Sequence, residues 1–236
     1  MSQAKYKRIL LKLSGEAISG RADGILDFEF IGKIAQVLKK CVAEGVQVAI
    51  IVGAGNIWRG AKGVGMDRCR ADSMGMLATV INALGLEDEF NRCGLDAVAM
   101  SAVEISEFVE LYNAGRAKRY LERGKVVIIG GGTGNPYFTT DTAAVLRAAE
   151  LEVDAALLAK NIDGVYNADP KKDPNAVRYD ELTYREMVDR ELHAIDLTAA
   201  SFCMDNDLTT YLFELRDPEN IYRAVTGQRI GTEIHK

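Results

Sequence analysis

Histidine, proline and tryptophan are scarce in this 236-residue chain, which has two, four and one of them beside 22 glycines. Two imidazoles, His193 and His235, leave little room for a hydrolase of the serine–histidine–aspartate kind. The four cysteines, Cys41, Cys69, Cys93 and Cys203, stand alone with no Cys-x-x-Cys pair among them. Neither a zinc site nor a disulfide framework is expected, and the chain reads as a reduced, cytoplasmic protein. No apolar stretch approaches the roughly 18 residues that suggest a membrane span. No apolar segment of the secretory-signal kind precedes the first strand-like run either. Acidic residues outnumber basic ones, 34 to 29, for a net charge of −5. That balance speaks against non-specific nucleic-acid binding and against an anionic membrane as partner. There is no linker, internal repeat or low-complexity tract. What is present, 48% hydrophobic and 27% charged residues, suits a globular fold with a sizeable core.

Short apolar runs alternate with longer helical patterns. Arg8 to Leu13 is strand-like, and Ile31, Ile34, Ala35, Leu38, Cys41 and Val42 then recur at helical spacing up to Gly45. Val46 to Val52 predicts a buried strand, Asp72 to Arg92 a helix, Asp96 to Met100 a short strand and Asn113 to Arg123 another helix. Val126 to Ile129 is wholly apolar; a helix is expected from about Thr140, and a strand over Ala155 to Ala159. After the turn-rich stretch from Asp163 to Arg178 come two charged helical patterns and the β-branched and aromatic run Thr209 to Phe213. The expected fold is α/β, a three-layer αβα sandwich around a mostly parallel sheet. The whole of 1–236 reads as one domain, with two lobes dividing near residue 150.

Three of the apolar strands run straight into glycine-bearing turns: Leu13-Ser14-Gly15, Gly53-Ala54-Gly55-Asn56 and Gly130 to Asn135. Glycine lets backbone N–H groups face a ligand without a Cβ in the way. Such turns at the carboxyl ends of parallel strands are where α/β sheets bind anionic ligands. Three of them favour a multiply phosphorylated ligand, although sharp turns use glycine for steric reasons as well. The Gly-x-x-x-x-Gly-Lys-Ser/Thr pattern is missing, which excludes a P-loop. Gly53-Ala54-Gly55 begins a dinucleotide-binding fingerprint, but Trp58 stands where its last glycine belongs. Lys12 ends the first strand and Arg59 follows the second turn. Together they are placed to neutralise a transferring phosphoryl group, unless they are an ordinary strand-edge lysine and a solvated loop arginine.

Five strings carry a resemblance: Lys12-Leu13-Ser14-Gly15-Glu16-Ala17, Gly55 to Gly60, Met74 to Thr79, Thr133-Gly134-Asn135-Pro136-Tyr137-Phe138-Thr139-Thr140-Asp141, and Asp163 to Pro170. In this order, from about residue 5 to 234, they resemble the amino acid kinase family, and within it the bacterial UMP kinases. The Thr133 to Asp141 string is the most specific; the first glycine turn is shared with relatives that phosphorylate carboxylates or carbamate.

The resemblance implies transfer of the ATP γ-phosphoryl group to UMP, with magnesium, in pyrimidine nucleotide synthesis. Carried over by position, Lys12, Leu13, Ser14 and Gly15 would hold the ATP phosphates with Gly55 and Arg59 beside them. Asn161, or its neighbour Lys160, would hold the adenine and ribose end with Tyr166 and Asp169. Ala54, Asp72, Thr133, Gly134, Asn135, Pro136, Tyr137, Phe138, Thr139 and Thr140 would bind UMP. Lys12, Arg59 and Asp141 are the expected catalytic set, Asp141 as the orienter of Lys12. No residue is assigned to a metal. The family is usually a homohexamer activated by GTP and inhibited by UTP, and Gly20, Arg21, Ala22, Asp23, Gly24 and Ile25 correspond to a regulatory segment.

This chain departs from the family in two places. Ala54 replaces the middle glycine of a frequent Gly-Gly-Gly-Asn turn, and an alanine makes positive φ costly there. The segment from Gly20 lacks the usual Gly-Phe-Gly. Several roles also have plain structural alternatives. Asp141 suits a first helical turn, Asp72 an N-cap, and Tyr137, Phe138 and Trp58 simple packing. Asp196 is a weaker candidate to reach the site from the second lobe. A carboxylate or carbamate kinase, a non-catalytic nucleotide sensor and a nicotinamide enzyme are the competing readings.

Overall fold

The computed structural model describes residues 4–19, 24–58, 65–192 and 194–236. Alternation along its strands decides which side of the sheet each helix covers. In β1 (Arg8–Leu13), Ile9, Leu11 and Leu13 belong to one apolar layer and Leu10 to the other. The same split separates Val48, Ile50 and Val52 from Ala49 and Ile51 in β2 (Gln47–Val52). It recurs in β5 (Val126–Gly130) and β6 (Ala155–Lys160). Strands buried on both faces need a helical layer on each.

One layer is built by α2 (Phe28–Ala43), α3 (Arg68–Arg92) and α8 (Glu219–Val225), whose Ile31, Ile34, Leu38, Phe90, Ile221 and Val225 join the first core. The other holds α4 (Ala114–Glu122), α5 (Thr140–Glu150), α6 (Tyr184–Asp189) and α7 (Leu197–Asn206), which give Leu121, Ala144, Tyr184 and Cys203 to the second. Each fully buried Leu or Ile contributes roughly 1.5–3 kcal/mol, so the two layers clamp the central strands firmly.

The sheet order is β4-β3-β5-β2-β1-β6-β8-β9-β7, completed by β3 (Ala97–Ser101), β4 (Glu110–Leu111), β7 (Glu181–Thr183), β8 (Thr210–Glu214) and β9 (Thr232–His235). Its paired strands are parallel except β8 with β9. This is the expected three-layer αβα sandwich, and β1, in mid-sheet between β2 and β6, ends beside both of them. A short helix, α1 (Gly15–Ser19), follows β1 directly. Among the described residues, no helix is long and apolar enough to cross a membrane.

One boundary departs from the sequence reading. Helix α3 begins at Arg68, with Asp67 as its N-cap accepting from the Arg70 N–H at 3.0 Å. Asp72 therefore stands in the second turn and is free for another task.

Candidate active site

Lys12 is the last residue but one of β1, two after Leu10, and lies in register with Leu158. Lys160 ends β6 two residues after Leu158. The period of two puts both lysines on the layer covered by α5, at the point where their strands leave the apolar core. The first turn of α5 stands over them. Asp141 Oδ1 lies 3.3 Å from Lys12 Nζ and Oδ2 3.0 Å from Lys160 Nζ, with side chains 16%, 12% and 22% exposed. Lys160 also donates to the Ala194 carbonyl at 2.6 Å. Asp141 thus stands against Lys12, the residue it is expected to orient, and against a second lysine.

Burial pulls the Lys12 ammonium below the usual lysine range, and Lys160 adds to this against the opposing pull of Asp141. Burial alone would raise the Asp141 carboxyl, but Lys12 and Lys160 outweigh it and hold it below its ordinary value. Two cations on one carboxylate leave net positive charge at the end of the sheet.

Around this cluster three turns meet. Gly15 lies so close to the second turn that a Cβ on it would come within 2.3 Å of Asn56 Oδ1 and 2.7 Å of the Gly55 nitrogen. Ser14 Oγ accepts from the Ala17 N–H at 3.1 Å at the start of α1, while Leu13 is buried in the core. Ala54 is not among the residues with positive φ, so the alanine costs nothing there; its carbonyl accepts from Ile57 and Trp58. The third turn does need glycine: Gly131, Gly132 and Gly134 have φ of 78°, 57° and 82°. Tyr137, at φ 72°, is strained by the order of 1–3 kcal/mol. Its N–H donates at 2.8 Å to Asp72, whose carboxylate also accepts from Arg68 Nε at 2.8 Å. Asp72 fastens the third turn to α3.

Thr139 caps α5, its Oγ1 accepting from the Asp141 and Thr142 N–H groups and donating to Asp196. Asp196 is itself the N-cap of α7 and accepts from Thr142 Oγ1 at 3.1 Å. It reaches the site from the second half of the chain, as an anchor of α5. In the first turn of α5 only the Thr140 N–H lacks an acceptor among the described residues.

Two cavities lie close to the Asp141 cluster, the first reaching Thr139 and Thr140 just before Asp141 and the second reaching Lys160. The first, about 280 Å³, is lined by Ala54, Gly55, Trp58, Asp72, Thr133, Asn135, Phe138, Thr139 and Thr140, with Arg68 and α3 residues down to Thr79. Gly134, Pro136 and Tyr137 belong to the same turn but do not line it. Trp58 is fixed by its Nε1–H, which donates to the Ala71 carbonyl at 2.9 Å. The second cavity, about 600 Å³, lies on the Lys160 side, with Lys160, Tyr166, Asp169 and Ala194 in its wall. Asn161 lines a separate hollow of about 470 Å³ with Ala17, Phe30 and Glu214. Lys160, rather than Asn161, therefore shares a wall with Tyr166 and Asp169.

Arg59 lies outside the described residues, as do Gly20, Arg21, Ala22 and Asp23. Gly24 and Ile25 are described, and the Ile25 carbonyl accepts from Asn56 Nδ2 at 2.8 Å, beside Gly55. The double grip of Lys160 and Lys12 on Asp141 escaped the sequence reading. Its signal was there: Leu158-Ala159-Lys160 ends a buried strand on the same alternation as Leu10-Leu11-Lys12.

A buried carboxylate between two lysines at the tips of parallel strands, with one cavity reaching Lys160 and another the start of α5, is an arrangement for handling phosphate charge rather than for acid–base chemistry. Comparison with known proteins agrees. The family model described as amino acid kinase family matches residues 7–214. The chain belongs to that family. Among solved structures it is similar to UMP kinase from Bacillus anthracis, with 35% identity over 98% of this chain and 96% of that one, at a TM-score of 0.93. UMP kinase from Ureaplasma parvum gives 37% identity, 98% and 100% coverage and a TM-score of 0.93. Uridylate kinase from Archaeoglobus fulgidus gives 32%, with 96% and 99% covered and a TM-score of 0.74.

Proposed function

We propose that this protein transfers the γ-phosphoryl group of ATP to UMP, forming UDP and ADP. One observation carries the reading: one cavity reaches Thr139 and Thr140, the residues just before Asp141, and a second reaches Lys160, which Asp141 holds. UMP takes the first cavity, where Asp72, Thr133, Asn135 and Thr140 offer polar groups and Phe138 an aromatic face. ATP takes the second, its base and ribose by Tyr166 and Asp169 and its phosphates reaching Lys160, Lys12 and the Ser14-Gly15 turn. The lobes divide accordingly, near residue 150.

A nucleoside monophosphate is already anionic near neutral pH, so its oxygen attacks without a general base. The catalytic task is to bring two polyanions together and to hold the charge that spreads over the transferring group. Lys12 and Lys160 do this, and Asp141 keeps both ammonium groups aimed at the phosphates. Arg59 adds a third cation, and the Thr140 N–H at the positive end of α5 meets the acceptor phosphate. Magnesium enters on the triphosphate as part of the donor substrate.

The likeness to UMP kinases supports a place in pyrimidine nucleotide synthesis in the cytoplasm. The exposed stripe Met74, Leu77 and Ile81 along α3 supports assembly of copies into a homohexamer. GTP activates and UTP inhibits, the Gly20 to Ile25 segment acting through the Ile25 carbonyl on Asn56. The deciding experiment is ADP release with a panel of acceptors, with and without GTP: UMP, CMP, dUMP, acetylglutamate, aspartate and carbamate. UMP is expected to lead by orders of magnitude. Turnover of a carboxylate or of carbamate in preference to UMP would refute the proposal.

A further inference from the structure

Arg147, two turns into α5, carries a cation that phosphate chemistry does not use. Its side chain is only 7% exposed and points back along the helix to the third glycine turn. Nη2 donates to the carbonyls of Gly132 at 3.2 Å and Thr133 at 3.3 Å, and Nη1 to Glu150 at 2.8 Å. The guanidinium lies 4.5 Å over the Tyr112 ring, whose hydroxyl donates to the same Glu150 carboxylate at 2.9 Å. Nε is buried without an acceptor. An unmet buried donor is costly, so this guanidinium is placed for the turn rather than for its own satisfaction.

The consequence follows from peptide geometry. In a trans peptide the C=O and N–H point in opposite directions. With the Gly132 carbonyl drawn inward to Arg147, the Thr133 N–H must face outward, and Thr133 lines the first cavity. Of the other N–H groups of the turn, that of Gly131 is spent on Thr79, of Gly134 on the Gly131 carbonyl and of Asn135 on Thr133 Oγ1, while that of Gly132, which also lines the cavity, has no acceptor among the described residues. The Thr133 N–H has no acceptor among the described residues. We propose that Arg147 is a positioning residue for the acceptor site, locking the turn so that the Thr133 N–H meets an oxygen of the acceptor nucleotide. This rests on the reading of the first cavity as the UMP site.

The test is steady-state kinetics of Arg147→Met and Arg147→Lys beside the wild-type enzyme, with thermal melting of each. In Arg147→Met the KM for UMP should rise about tenfold or more, the worth of one charge-assisted contact, with the KM for ATP unchanged. Arg147→Lys should fall between, because an ammonium cannot span two carbonyls and Glu150 at once. A lowered Tm with both KM values unaltered would mean packing alone, and overturns the inference. If Arg147→Met does not fold, Glu150→Gln loosens the guanidinium and should raise the UMP KM roughly threefold, a smaller share of the same contact; no change overturns the inference equally. A wild-type chain inert toward UMP removes the acceptor reading and this inference together, whereas an active wild type with an unaltered Arg147→Met KM removes this inference only.

Discussion

The two cavities beside Asp141 are made in different ways. The first is walled by regular elements and by one turn pinned at every step: Gly131 to Thr79, Tyr137 to Asp72, Gly132 and Thr133 to Arg147. The second, about twice the volume, is walled by the stretch after β6, whose one β-bridge joins Tyr166 to Arg178. That stretch is held by its own side chains, Tyr166 on Asp163 and Val177 on Asn167, and by Thr232 of β9, which accepts from the Val165 N–H and donates to the Tyr179 carbonyl. A small acceptor needs one exact pose for its phosphate, which favours a preorganised cleft. A larger ligand bound through its base and ribose tolerates a looser wall. On the proposed assignment of the two nucleotides, discrimination belongs to the first cavity and plain affinity to the second.

Substitutions should separate the three parts. Lys12→Ala removes the cation proposed to meet both ligands, so kcat should drop by roughly 10²–10³-fold or more while the UMP KM changes little. Near-normal turnover would take Lys12 out of the mechanism. Since burial holds the Lys12 ammonium of the free enzyme below the ordinary lysine value of 10.5, wild-type kcat/KM should also fall on the alkaline side with a midpoint under 10.5. The sign is fixed: the proton lost is the charge that does the work. Measured pH profiles should show that limb missing from the residual activity of Lys12→Arg.

Asp72→Asn loosens the third turn from α3 and should raise the UMP KM about tenfold, leaving the ATP KM alone. An unchanged UMP KM would refute the role given to Asp72. Tyr166→Phe removes a hydroxyl bound to Asp163 in the outer wall, and the ATP KM should rise only about twofold to fivefold. A larger effect on UMP than on ATP would reverse the assignment of the two cavities.

Much of this was legible in the residues, for reasons that can be named. The central strands are long and buried on both faces, so their apolar runs stood out, and the glycine turns marked their carboxyl ends. The edge strands β4 and β7, and β9 next to the latter, span two, three and four residues, too short to carry a period. Asp72 looked like a helix start because the stretch before it is polar and glycine-rich. Asp67 performs that task instead, and Asp72 is released to hold the Tyr137 N–H. The turn motifs pointed to phosphate and the family to UMP. The alternation of β1 and β6 puts Lys12 and Lys160 on one face, but their meeting on one carboxylate needed the register of β1 against β6, a relation between residues 148 positions apart.

The central claim is that two nucleotides lie on either side of Asp141 with their phosphates meeting at Lys12 and Lys160. It is tested most directly by a ligand that joins adenosine and uridine through a polyphosphate chain, titrated against the wild-type enzyme and Lys12→Ala. One such molecule should bind per subunit, compete with both ATP and UMP, and bind at least about tenfold more weakly to Lys12→Ala. Competition with only one of the two nucleotides, or equal affinity for both proteins, would contradict it.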